Sequence, residues 1–336
     1  MKFSPLLAFL TGILICINYS TAFAQENNFN EDFSAAMPEI RAWNKNLGHL
    51  PQGTVLTKAG LDKARKGMNA FANQKTILKP TIKNIPSGKT EIAIRIFKPD
   101  TIRAVVLDIH GGGWSVGSAA LDDGFNDEMA RKCNVAVVSV EYRLAPESPF
   151  PISVEDSKAT AKWLVNHAQA EFGTSKIFIT GASAGAHLSA LTTIYIRDSL
   201  HAIDKVVGVN LIYGLYDLGK TPSLRHATDS SFLSKHDLSE VFLLVFKNWN
   251  INKLEQPECS PLFADLKGLP PALFSVGTAD PLVDDTYFME SRWRLAGNKT
   301  FLASYPECPH GFDIFPTKVA KLAKQRMLDW INNILK

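Results

Sequence analysis

Apolar residues change their period along this chain. Between residues 33 and 71 they recur at helical spacing. Phe33, Met37, Ile40, Trp43 and Leu47 share one stripe, and Leu61, Ala64, Met68 and Phe71 another, with Lys58, Lys63, Arg65 and Lys66 mostly off it. Leu50-Pro51-Gln52-Gly53 separates the two. From Thr81 onward, short apolar runs alternate with helical patterns. Thr81–Ile85, Thr90–Phe97, Ala104–Ile109, Val135–Val140, Lys176–Thr180, Val206–Ile212, Ala272–Val276 and Thr300–Tyr305 predict eight strands, mostly of the buried, β-branched kind. The first two are joined by a turn at Pro86-Ser87-Gly88. Helices are predicted over 119–132, 152–170, 184–198, 283–296 and 317–335; Gly297 ends the fourth, and Ala320, Ala323, Met327, Trp330 and Ile334 are the buried stripe of the last. Such alternation implies an α/β fold, a mainly parallel eight-stranded sheet with helices on both faces. Residues 217–268 break the rhythm. They and the two early helices are candidate cap segments, although the early helices fit a plain outer packing equally well.

One apolar run belongs to neither pattern. Leu6 to Ile17 follows Lys2 and precedes Ala22-Phe23-Ala24, which reads as a secretory signal peptide over residues 1–24 with cleavage before Gln25. The run is about a dozen residues, short of the roughly 20 needed to span a bilayer, so no stable membrane anchor is expected after cleavage. The expected location is the periplasm or the exterior.

Composition narrows the remaining classes. With 336 residues, 46% hydrophobic and 21% charged, the chain is too apolar for disorder and too long for a disulfide miniprotein. A net charge of +3, spread along the sequence, gives no electrostatic case for nucleic acid. Removal of residues 1–24 takes Cys16 and leaves Cys133, Cys259 and Cys308, an odd number without zinc-ribbon spacing. Cys133 reads as a buried core residue. Cys259 and Cys308, each in Pro-Glu-Cys, fit either a disulfide bracing the following loop or two separate thiols.

Chemistry is concentrated at strand ends. A strand runs directly into Gly181-Ala182-Ser183-Ala184-Gly185 and then a helix, the context of a nucleophile elbow that exposes Ser183 on a sharp turn between small residues. His110-Gly111-Gly112-Gly113-Trp114 follows the third strand, where glycines let backbone N–H groups face a ligand oxygen. The expected oxyanion donors are Gly111, Gly112 and Ala184. A phosphate cradle is a poor alternative, since neither G-K-[ST] nor a complete G-x-G-x-x-G falls in this loop. His110 is expected to brace its loop, while Trp114 lines a substrate pocket or simply packs. His310, in Pro309-His310-Gly311-Phe312 after the last strand, is the candidate base. His187, one turn into the helix behind Ser183, reads as structural. Asp280, the first carboxylate beyond the strand Ala272–Val276, is favoured as the acid over Asp217, with Asp284 and Asp285 read as first-turn helix residues.

Together with Glu141-Tyr142-Arg143-Leu144-Ala145-Pro146-Glu147, Ser260-Pro261-Leu262-Phe263-Ala264-Asp265-Leu266 and Gly268-Leu269-Pro270-Pro271-Ala272, these motifs make the chain resemble the hormone-sensitive-lipase-like family of α/β-hydrolases, from about residue 80 to 335. The resemblance implies an α/β-hydrolase fold with a helical cap, and hydrolysis of short- to medium-chain carboxylic esters with Ser183, Asp280 and His310 as triad. Two positions depart from it: Ala182, commonly acidic in the family, and Ala186, commonly glycine. The expected organisation is a signal over 1–24, an N-terminal helical cap region over 25–80 and a catalytic domain over 81–336, with 217–268 as a second cap candidate. The expected partner is a small-molecule ester, without metal or organic cofactor, and a homodimer is left open. Arylformamidase, lactonase or peptidase chemistry could use the same groups, and a non-catalytic binding module could retain the fold.

Overall fold

Alternation within each strand decides the layers. In β3 (Ala104–Ile109), Val105, Leu107 and Ile109 enter one core, whereas Ala104 and Val106 enter another on the opposite face. The pattern repeats in β4 (Val135–Val140) and β5 (Ile177–Ala182), so both faces of the central strands are buried. The computed structural model describes residues 33–46, 54–70, 74–228 and 233–336. The expected export signal lies outside those residues, as do Leu47 and Phe71 of the early stripes.

The sheet has eight strands in the order β1-β2-β4-β3-β5-β6-β7-β8. The five not yet placed are β1 (Thr81–Ser87), β2 (Thr90–Phe97), β6 (Val206–Ile212), β7 (Ala272–Gly277) and, at the far edge, β8 (Thr300–Tyr305). The β1–β2 and β2–β4 pairs are antiparallel; every later pair is parallel. The predicted turn at 86–88 is displaced. Pro86 and Ser87 pair across the hairpin with Glu91 and Thr90, leaving Gly88 and Lys89 as a two-residue turn.

Ten α-helices are present among the described residues: α1 (Met37–Asn46), α2 (Lys58–Asn69), α3 (Asp123–Cys133), α4 (Ile152–Phe172), α5 (Ala184–Asp198), α6 (Pro222–Arg225), α7 (Lys235–Val245), α8 (Ile251–Leu254), α9 (Val283–Leu295) and α10 (Lys318–Ile334). Residues of α4, α5 and α9 join the first core, and residues of α1, α3 and α10 the second. None of the described helices is long and apolar enough to cross a membrane. The helix predicted from 119 begins at Asp123, because residues 115–122 remain in the loop that follows β3.

The two early helices go to different places. Helix α1 lies on the second core, with Trp43 against Phe315, and its Arg41 pairs with Glu307. Helix α2 instead reaches the loops after β3 and β4. The 217–268 excursion shares the first core through Leu238, Val245, Phe246 and Leu254. Its α7 opens with a capping box, in which the Ser234 side chain accepts from Asp237 N–H and Asp237 accepts from Ser234 N–H.

The sheet also separates the cysteines. Cys259 is buried in the first core and Cys308 in the second, so no Cys259–Cys308 disulfide forms and all three described cysteines are free thiols. Burial raises the Cys133 and Cys259 thiols to about 11 and Cys308 to about 12. Alkylation without reductant should therefore be slow in folded protein and complete at all three on denaturation; peptide mass spectrometry showing Cys259 or Cys308 blocked until reduction would contradict this arrangement.

Candidate active site

The site begins where β5 turns into α5. Ser183 caps that helix at φ 56° and ψ −121°, a conformation costing about 1–3 kcal/mol for a residue with a Cβ. Its N–H is held by the Ile212 carbonyl at 2.9 Å. Behind it, Gly185 lies so near β3 that a Cβ there would come within 1.9 Å of the Ile109 carbonyl oxygen. Only glycine permits this approach. It brings the start of α5 against the end of β3, where the Gly-rich loop begins.

That loop runs through positive φ at Gly112 (117°), Gly113 (55°) and Trp114 (55°). At Gly112 a side chain is excluded twice, by the backbone angle and by the Val116 carbonyl, 2.2 Å from any Cβ. Gly111 passes beside the serine; a Cβ on it would lie 3.5 Å from Ser183 Cβ. The N–H groups of Gly111 and Gly112 donate to no acceptor among the described residues. Ala184 is the first residue of α5, where helix N–H groups lack intrahelical acceptors.

His310 and Asp280 come from the far end of the sheet. His310 Nε2 is 2.9 Å from Ser183 Oγ, and His310 Nδ1 is 2.8 Å from Asp280 Oδ2. The Asp280 side chain is fully buried, and its other oxygen accepts the Leu282 N–H at 2.8 Å. Backbone bonds zip the two loops together: Thr278 N–H to the Tyr305 carbonyl (2.9 Å) and Ala279 N–H to the Cys308 carbonyl (3.0 Å). A serine hydroxyl, an imidazole and a buried carboxylate thus form one hydrogen-bonded line, which can remove the hydroxyl proton and hold the resulting cation.

Other candidates fall elsewhere. His110 is fully buried; its Nδ1 lies 2.8 Å from the Gly111 carbonyl, and its ring stacks on Tyr142 at 4.1 Å. Trp114 is 3% exposed and edge-on to His187 and Phe246, so it backs the Gly-rich loop as part of an aromatic cluster. Asp217 accepts the Gly219 N–H at 2.7 Å, while His310 Nδ1 is taken by Asp280. Asp284 and Asp285 both stand in the first turn of α9, as expected, and Asp284 accepts the Ser223 N–H. Asp285 is buried and accepts from Tyr216 N–H, Asp217 N–H and Thr221 Oγ1, at 2.7, 2.9 and 2.6 Å, fixing the start of the excursion. Burial raises this carboxyl to about 7 despite those donors. The described residues contain no group of three or more His, Cys, Asp or Glu able to hold a metal ion.

Two contributors were invisible as motifs. Tyr213, at φ 38° beyond β6, sets its ring edge-on to His310 at 4.7 Å and donates to Asp313 at 2.5 Å. Beneath the site, Asn126 and Ser139 donate to Asp108, and Asn210 donates to Thr180 at 3.0 Å. Strand register sets Asp108 beside Ser139 and Thr180 beside Asn210, and α3 brings Asn126 to them.

A family profile of the α/β hydrolase fold matches residues 106–314. The chain belongs to the α/β-hydrolase family, in its hormone-sensitive-lipase-like branch. It is 33% identical to the carboxylesterase NlhH of Mycobacterium tuberculosis over 255 residues, 70% of this chain and 76% of the relative. A bacterial heroin esterase superposes with a TM-score of 0.79 at 30% identity, covering 89% of this chain and 98% of the other. An esterase of Pyrobaculum calidifontis gives a TM-score of 0.77 at 27% identity, over 87% and 98% of the respective chains.

In this α/β-hydrolase the helix behind the serine carries a buried neutral histidine. His187 Nε2 lies 2.6 Å from the Cys259 carbonyl. Burial lowers the imidazole to about 4, only partly offset by that carbonyl. An unfolded chain takes up this proton near 6.5, so stability falls as pH drops from about 6.5 towards 4, by up to ~1.4 kcal/mol per pH unit. Urea unfolding of wild type and His187→Gln should show their difference shifting in the variant's favour across that window; a pH-independent difference would contradict a buried neutral His187.

Proposed function

We propose that the chain is a serine carboxylesterase acting on short- to medium-chain acyl esters through an acyl-enzyme. The observation that carries this reading is the unbroken line from Asp280 to His310 to Ser183, with contacts of 2.8 and 2.9 Å, beside a loop of free N–H donors. His310 Nε2 accepts the Ser183 proton as Oγ attacks the ester carbonyl. The imidazolium keeps its Nδ1–H on Asp280, which orients the ring and stabilises its charge. Negative charge developing on the carbonyl oxygen meets the N–H groups of Gly111, Gly112 and Ala184, the last at the positive end of α5. His310 returns the proton to the departing alcohol, and then activates the water that releases the acid. Relatives named carboxylesterase and acetyl esterase support the reaction class. Residues 1–24 are proposed to direct export, leaving a mature enzyme that starts at Gln25 in the periplasm or outside.

Purified enzyme should hydrolyse p-nitrophenyl esters of short chain length faster than matched amides, and a fluorophosphonate probe should label Ser183. Ser183→Ala should lower kcat by about 10³-fold or more, and Asp280→Asn by at least about 100-fold. Full activity in Ser183→Ala would overturn the proposal. N-terminal sequencing of the exported protein should begin at Gln25; a retained Met1 would contradict the export reading.

A further inference from the structure

The Gly-rich loop is gripped from two directions. One grip comes from the segment after β4. Glu141 accepts the Ala119 N–H at 2.9 Å, Tyr142 donates to the His110 carbonyl at 3.0 Å, and Ala145 N–H donates to the Trp114 carbonyl at 2.9 Å. The other comes from α2, outside the residues matched by the family profile. Arg65 Nε donates to the Ser115 carbonyl at 3.0 Å, and Nη2 to the Ala145 carbonyl at 2.9 Å. Nη1 and Nη2 also donate to the two Glu147 oxygens at 2.9 and 2.7 Å.

We propose that Arg65 is a positioning residue for the oxyanion donors, so that α2 is a working part of the active site. This rests on the esterase reading above. Ser115 N–H donates to the Gly112 carbonyl at 3.1 Å, and Val116 N–H to the same oxygen at 3.0 Å. The Ser115 carbonyl held by Arg65 therefore belongs to the turn that orients the Gly112 peptide. Neither that carbonyl nor that of Ala145 lies in a strand or helix that would satisfy it. A planar guanidinium can bind both at once and still present a fork to a carboxylate, which an ammonium cannot. Hydrogen bonding to Arg65 lowers the Glu147 carboxyl to about 2, so the pair stays charged at working pH. The segment leading into α2 is tied as well: Val55 N–H donates to Glu240 at 2.7 Å, one residue before Val241, which lies over Gly113.

Simple docking of α2 would affect stability alone; positioning must affect the transition state. Arg65→Ala, assayed well below its melting temperature, should lose about 10- to 100-fold in kcat with KM nearly unchanged. Inhibition by a trifluoromethyl ketone, whose serine adduct places an oxyanion on the same donors, should weaken in parallel. The unfluorinated ketone should bind as before. Arg65→Lys should fall in between, added guanidinium should partly restore Arg65→Ala, and Lys58→Ala on the same helix should match wild type. If Arg65→Ala proves unstable, the same comparison with Arg65→Lys decides the matter. A kcat within twofold of wild type in both variants, or a loss confined to KM with the ketone ratio unchanged, overturns the role of Arg65. A wild type without turnover or Ser183 labelling would instead overturn the esterase reading.

Discussion

A single backbone approach organises this molecule: the start of α5 against the end of β3. Gly185 lies too near the Ile109 carbonyl to tolerate any side chain. The chain must therefore reverse sharply at Ser183, and the serine accepts a strained φ of 56°. The strand before it and the helix after it, both buried, hold that strain in place. Because β3 continues into the Gly-rich loop, the contact that strains the serine also sets it beside the backbone donors.

The other half of the site depends on strand order. With β5, β6, β7 and β8 parallel and adjacent, the segments leaving β6, β7 and β8 emerge at one edge of the sheet. Asp280 follows β7 and His310 follows β8, and the backbone bonds between their loops keep the two in register. Tyr213, following β6, closes the row against the His310 ring. Ser183 and His310 are 127 residues apart in sequence and 2.9 Å apart in space.

Motifs at strand ends were legible because their chemistry needs unusual local backbone. Glycines around Ser183 and after His110 announce turns that few other residues could form, and strand–helix periodicity supplied the context. What stayed hidden lacks a local signature. Arg65 sits among three lysines on an amphipathic helix, and nothing in that pattern distinguishes it as the one that turns inward to Ser115, Ala145 and Glu147. Asp285 reads like any acidic residue in a first helical turn, yet packing of the excursion makes it a buried anchor. The Cys259–Cys308 pairing was undecidable from the sequence, since only the side of the sheet each occupies rules it out.

The sequence by itself determined the eight strands, their mainly parallel arrangement and the identity of the serine, histidine and aspartate candidates. Each follows from short-range rules: periodicity, β-branching and the demands of a tight turn. Tertiary structure alone decided which carboxylate meets His310, where the two early helices lie, and which basic side chain holds the Gly-rich loop. Those outcomes depend on contacts between residues tens to hundreds of positions apart, and they are set by strand order and close packing.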